Sequence, residues 1–359
     1  MPHHKCLKTF YFTMLMVCLV GLSACGGGGD DGGGGNAGGG GTTPTSFDPV
    51  FTGPDANGEI VFQSVTPGTY RDLVNGRVGL PQADVTGTLY MPQGVTGPVP
   101  AMVISHGSSG IQNSGNFYVG KAMALNNLGI AAFLIDSQTP RGFTSQLGLS
   151  TAANVADALI ALVVLSQLPE IDPDRVGIIG YSVGGLVVVN TFFKESQNVI
   201  APATNQFKAY IGYYPQCNIR QWSPNISQAP MLILHGEADE WDAYTACIDL
   251  VNSLNGVNAN ASIITYPGAH HVFDSGGSLT YIADARIPHD CAGETRIDTF
   301  EKRRFDTGQI FANNTEYQAY LDTCRTMGGN VGGDDAAAIA ATLDAANEVE
   351  LLLTDVFGL

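Results

Sequence analysis

The sequence predicts an α/β fold built on a mainly parallel sheet. Short apolar runs that do not alternate with polar residues recur along the chain, and helix-patterned stretches separate one run from the next. Strands without alternation are buried on both faces, as parallel strands are. Strands separated by helices are the pattern of βαβ units. A third observation sets the size: about 300 residues follow an N-terminal region that cannot form a core, which suits one large domain.

That N-terminal region has two parts. Residues 1–24 carry Lys5 and Lys8 ahead of a short apolar run at 10–22, too short for the roughly 20 residues a membrane helix needs. The run ends in Leu22-Ser23-Ala24-Cys25, which resembles the bacterial lipobox. The resemblance implies removal of residues 1–24 as a signal peptide and lipidation of Cys25, placing the chain in the cell envelope on a lipid anchor. Residues 25–50 continue as a nearly pure glycine tract and then a linker with Pro44 and Pro49. Glycine has nothing to bury and loses the most backbone entropy on ordering, so this stretch is expected to be a tether. The folded domain is expected over 51–359.

Within it, residues 60–66 and 85–90 read as strands able to form an antiparallel edge. Residues 101–105 are an apolar run ending in His106-Gly107-Ser108-Ser109-Gly110, and 117–128 have helical spacing. Another run, 130–135, ends at Asp136, and 152–168 read as a long helix with Asn154 and Asp157 on its polar side. Strand 176–179 leads through a glycine turn to a helix at 184–194. Strands at 209–214 and 231–234, a helix at 241–254, a strand at 262–266 and a final helix at 336–353 complete the pattern.

The formal net charge is −17, and loss of Lys5 and Lys8 with the leader takes it to −19. Such a chain repels nucleic acid, and no basic cluster argues for a nucleic-acid partner. No metal-ligand spacing or phosphate loop is present, so no metal and no cofactor are expected. Besides Cys6, Cys18 and Cys25, the chain holds Cys217, Cys247, Cys291 and Cys324. An even number in an oxidising compartment suggests two disulfides. Of three possible pairings, Cys217–Cys247 and Cys291–Cys324 are favoured, because each joins one stretch of the fold.

Catalytic groups of parallel sheets sit at the carboxyl ends of strands. After strand 176–179 comes Gly180-Tyr181-Ser182-Val183-Gly184, a G-x-S-x-G between strand and helix. With 45 glycines in the chain the bare pattern is weak, and its position gives it weight. Gly180 and Gly184 permit a turn tight enough to lift the Ser182 hydroxyl above the sheet at a helix N-terminus. A serine needs a base, and the base an orienting carboxylate. Asp239 follows strand 231–234, with Asp242 and Glu237 as rivals that could instead cap the next helix. His270 and His271 follow strand 262–266, and adjacent residues cannot face the same way, so one of them serves as base. His106 and His235 precede glycines at other strand ends. Two backbone N–H groups, of Val183 and Ser108, are the candidates for an oxyanion hole.

Together these stretches resemble the dienelactone hydrolase family of the α/β-hydrolase fold. The resemblance rests on HGSSG at 106–110, DSQTPRG at 136–142, IDPDRVGIIGYSVGG at 171–185, LHGEADEWD at 234–242 and YPGAHHVFD at 266–274. It implies that the base is His271, the histidine before x-Phe-Asp, with Ser182 and Asp239 as its partners. One departure matters: the family's namesakes use a cysteine nucleophile, and here the position is Ser182. The implied activity is hydrolysis of a carboxylic ester or lactone, on a small-molecule or polymeric substrate. A peptidase or polyester depolymerase on the same fold, shaped by residues 275–329, and a non-catalytic tethered envelope protein are the alternatives. Arg141 reads as a loop brace rather than a substrate contact. The oligomeric state is not legible.

Overall fold

A computed structural model describes residues 51–52, 58–76, 79–145, 148–201 and 205–359. Residues 1–50, on which the expected signal peptide, Cys25 and the whole expected tether fall, lie outside the described residues. The chain enters through β1 (Phe51–Thr52), β2 (Gly58–Val65), a short helix α1 (Tyr70–Val74) and β3 (Gln82–Tyr90). It then alternates through β4 (Val99–Ser105), α2 (Phe117–Asn127), β5 (Ala131–Asp136), α3 (Thr151–Leu165), β6 (Ile171–Tyr181), α4 (Val183–Thr191) and α5 (Lys194–Ile200). Next come β7 (Tyr210–Tyr213), β8 (Ile219–Trp222), β9 (Met231–Gly236), α6 (Tyr244–Asn255) and β10 (Ala261–Tyr266). The chain ends through β11 (Thr280–Ile287), β12 (Gly293–Arg296), β13 (Lys302–Arg304), α7 (Asn314–Cys324), β14 (Thr326–Val331) and α8 (Ala336–Phe357).

The main sheet runs β1-β2-β3-β5-β4-β6-β7-β9-β10. β1, β2 and β3 are the antiparallel edge, and every pairing from β5 to β10 is parallel. The α/β-hydrolase-like fold of the sequence reading is therefore present, with helices on both faces. The strand side chains show why alternation is absent from the sequence. Ala101 and Val103 of β4 face a core containing α3, α4 and α6 residues, while Met102 and Ile104 face a second core under α2 and α8. Both sets are fully buried.

Three readings are corrected here. Asn154 and Asp157 do not lie on a polar side of α3: both are buried, and nearly every side chain of the helix is. Asp157 instead receives Arg141 bidentately, Nη1 at 2.7 Å and Nη2 at 2.8 Å, and the Ser64 hydroxyl at 2.5 Å. Arg141 also donates to the carbonyls of Ser137 and Val65 and to the Thr66 hydroxyl, tying the ends of β2 and β5 to α3. A polar residue in an apolar helix marked an internal anchor, not a wet face. The helix at 184–194 is likewise two helices. The chain breaks at Phe192 and Phe193, both fully buried, where Phe193 is extended and bridges to Ile226. The third concerns 241–254: helix α6 starts later, at Tyr244, because Trp241 and Asp242 donate their N–H groups to Asp239.

Residues 275–329 hold structure that the pattern did not signal. β11 pairs with β14 in a two-stranded sheet, and β12 joins β8 and β13 in a three-stranded one. The buried Glu294 carboxylate fixes the latter, accepting from Arg220 Nε at 2.9 Å and Arg303 Nε at 2.7 Å. Disulfides join Cys217 to Cys247 and Cys291 to Cys324. The first pins the segment after β7 onto α6. The second pins the start of β12's approach to the end of α7.

The Arg141–Asp157 pair yields a stability prediction. Arg141→Leu strands a fully buried carboxylate, and the expected loss is about 3–5 kcal/mol, read by urea or thermal unfolding. Arg141→Leu with Asp157→Leu should recover much of it, because no unpaired charge then remains inside.

Candidate active site

β6 runs into α4 with a single residue between them. That residue is Ser182, at φ 55 and ψ −115. A non-glycine in this region is strained, and the strain persists because the surroundings leave no alternative. A Cβ on Gly180 would collide with the Gly184 carbonyl, and one on Gly184 with the Ser105 carbonyl. The two glycines of the motif are therefore required by close backbone approach. Val183 is the first residue of α4, whose leading N–H groups have no intrahelical acceptor.

β10 delivers His271. Its neighbour Val272 takes a left-handed conformation at φ 60, turning the chain sharply just after it. The carbonyl of His271 accepts the Gly332 N–H at 2.7 Å, and His271 bridges to Val331 at the end of β14. The side chain of His271 is buried; its Nε2 lies 2.9 Å from Ser182 Oγ and its Nδ1 2.7 Å from Asp239 Oδ2. Ser182, His271 and Asp239, distant in sequence, are thus one hydrogen-bonded chain. His270 is not part of it.

Asp239 follows β9 and is buried. Besides His271, it accepts the N–H groups of Trp241 at 2.8 Å and Asp242 at 2.9 Å through Oδ1. Burial works against its charge, but the facing His271 outweighs burial and holds the carboxyl below the usual range. Conversely, burial would depress His271, and the Asp239 charge and hydrogen bond overcome it, so the imidazole is raised above 6.5. Asp242, the alternative carboxylate of this loop, is also buried, and its N–H donates to Asp239. Burial and the Asp239 charge, only partly offset by His271, push its carboxyl up to about 7. Glu237 instead accepts the Thr265 hydroxyl at the surface.

Several neighbours went unread in the sequence. The Trp241 indole stacks on the His271 ring at 5.5 Å and 11°. The Tyr214 ring meets it edge-on at 5.0 Å, and the Tyr214 hydroxyl donates to Asp274 at 2.7 Å. Lys121 lies 2.6 Å from the other oxygen of Asp274. The imidazole is therefore held by rings on two sides as well as by its carboxylate. Asp274 stands in the sequence in HHVFD, three residues after His271, and that proximity is its only signal. Arg141 is spent on Asp157 and on carbonyls, with 4% of its side chain exposed. A cleft of about 280 Å³ beside Glu240 is lined by Ile287, His289, Thr326, Met327 and Gly328. Five of its six walls thus come from the segment that follows His271.

Ser108 lies in the loop after β4. That loop abuts the elbow: a Cβ on Gly107 would lie 3.6 Å from Ser182 Cβ and 3.2 Å from the Tyr181 carbonyl. Among the described residues, no group of three or more His, Cys, Asp or Glu is arranged to hold a metal.

Solved structures similar to this chain include esterase 2 of Thermogutta terrifontis phosphorylated by paraoxon, 18% identical over 53% of this chain and 80% of that one, at a TM-score of 0.43. The propionate-bound form of the same esterase is 16% identical over 67% of this chain and 87% of that one, at 0.43. The sequence pattern of the dienelactone hydrolase family matches residues 85–287, more than half of the chain, and spans Ser182, Asp239 and His271. The chain belongs to the dienelactone hydrolase family.

Proposed function

We propose that the enzyme cleaves carboxylic esters, or lactones, through an acyl group carried on Ser182, with His271 as general base and acid and Asp239 as its orienting carboxylate. The observation that carries the reading is the unbroken chain from Ser182 Oγ to His271 Nε2, 2.9 Å, and from His271 Nδ1 to Asp239, 2.7 Å. Ser182 Oγ attacks the ester carbonyl carbon while its proton passes to His271 Nε2. The imidazolium so formed faces the Asp239 carboxylate, whose charge favours it. The carbonyl oxygen becomes an oxyanion held by the N–H groups of Val183 and Ser108. Collapse expels the alcohol, which takes the proton from His271. Water, deprotonated by the same imidazole, then releases the acid and restores Ser182.

The folded body, 51–359, is read as tethered by 25–50 to a lipid on Cys25 in the bacterial envelope. What supports this is the Leu22-Ser23-Ala24-Cys25 pattern and the glycine tract behind it. Two disulfides fit an oxidising compartment. Among the described residues, no helix is long and apolar enough to cross a membrane.

Four outcomes test the reading. Ser182→Ala should lower kcat about a million-fold and abolish labelling by a fluorophosphonate; near-native turnover would remove the mechanism. The base works only when neutral. Because His271 is raised above 6.5, kcat/KM should fall as pH drops through that raised value. Asp239→Asn removes the largest group raising it, so the acid limb should move to lower pH while kcat falls about 10⁴-fold. Finally, expression in a bacterial host should place the protein in the membrane fraction with incorporated palmitate. Cys25→Ser should release it to the soluble fraction, and no change in partition would contradict the anchor.

A further inference from the structure

The mechanism leaves two buried side chains unused, and both touch the loop that carries the second oxyanion donor. His106 directly follows β4 and is buried. Its Nδ1 lies 2.8 Å from the Gly107 carbonyl, and its Nε2 accepts the Ser137 N–H at 3.3 Å. A ring nitrogen that accepts an N–H is unprotonated, so the other carries the proton and donates it to Gly107. The Gly110 N–H donates to the same carbonyl at 3.1 Å, at a glycine whose φ of 72 closes the turn. From the other side, the hydroxyl of buried Tyr118, on α2, accepts the Gly107 N–H at 2.6 Å. The Ser108 carbonyl is held by Gln138 Nε2 at 3.3 Å.

These contacts have one geometric consequence. The peptide joining Gly107 to Ser108 is trans and planar, so its N–H points opposite to its C=O. The Gly107 carbonyl is held by two donors on one side, which fixes the direction of the Ser108 N–H on the other. Neither the Ser108 N–H nor its hydroxyl is among the donors to any backbone or side-chain acceptor of the described residues. We propose that Tyr118 and His106 are positioning residues for ester cleavage, clamping Gly107 from its two sides so that the Ser108 N–H is aimed at the oxyanion before substrate arrives. Burial lowers the His106 pKa against the raising effect of its Gly107 contact and of Asp136 and Asp157. The ring therefore stays in the neutral form that the clamp needs.

The inference rests on the ester-hydrolase reading, so the wild-type enzyme is first labelled with a fluorophosphonate. Failure there would belong to that reading and not to the clamp. Tyr118→Phe removes one oxygen and keeps the ring. The expected result is a fall in kcat of about 10–100-fold with KM within about 2-fold, smaller than the outright loss of an oxyanion donor. Affinity for a trifluoromethyl ketone, which forms an oxyanion on the serine, should fall by the same factor. The acid limb of the pH profile, set by His271, should not move. At His106, Asn keeps a donor for the Gly107 carbonyl and Phe does not. His106→Asn should retain most of the turnover, and His106→Phe should lose it in the manner of Tyr118→Phe. Unchanged kcat in Tyr118→Phe overturns the proposal, as does equal kcat in the two His106 variants, which stands as the deciding comparison if Tyr118→Phe does not fold.

Discussion

At the junction of β6 and α4 the backbone reverses within one residue, and the rest of the site is arranged around that reversal. Holding Ser182 at φ 55 costs on the order of 1–3 kcal/mol. The surroundings supply it: Gly180 and Gly184 permit contact between the strand end, the first turn of α4 and the end of β4. No larger residue fits at either glycine. In return the hydroxyl stands clear of the sheet, beside the free N–H groups at the start of α4. The strain is thus the means by which a buried parallel sheet presents an alcohol to solvent.

A presented alcohol is inert without its base, and the base is held by a different set of constraints. Asp239 is buried yet ionised, because three donors face it, the His271 imidazole and the N–H groups of Trp241 and Asp242. The rings of Trp241 and Tyr214 confine the imidazole. The end of β14 holds its backbone through Gly332. Thus the small sheets after β10 are more than decoration on the main fold. They fix the position of His271, line a cleft beside the Asp239 loop, and are themselves stiffened by Glu294 with its two arginines and by the Cys291–Cys324 bridge.

Much of this arrangement is legible in the sequence alone. The parallel strands could be read because burial on both faces leaves an unbroken apolar run, as in 101–105 and 131–135. The elbow could be read because its glycines leave a local pattern. Asp239 and His271 could be placed because each follows a strand, although only resemblance separated His271 from His270. What failed did so for physical reasons. Asp157 looked like surface because a helix is assumed to have one wet face, whereas α3 is enclosed on nearly all sides and uses its carboxylate to bind Arg141. The strands after β10 carry no regular alternation, β11 being largely open to solvent while β12 buries a charged residue, Glu294, so no period marks them. The partners of the imidazole, Trp241 and Tyr214, are ordinary aromatics until the fold brings them to one ring. Backbone donors leave no trace in side-chain identity at all.

The central claim is that Ser182 becomes acylated during turnover. His271→Ala should slow deacylation more than it prevents slow acylation by an activated p-nitrophenyl ester, so the intermediate can be caught by acid quench and mass spectrometry. The account predicts the mass of one acyl group on the intact protein, mapped to the peptide that contains Ser182. Ester cleavage by the wild-type enzyme with no acyl adduct in either protein, or with the adduct on another residue, would contradict it.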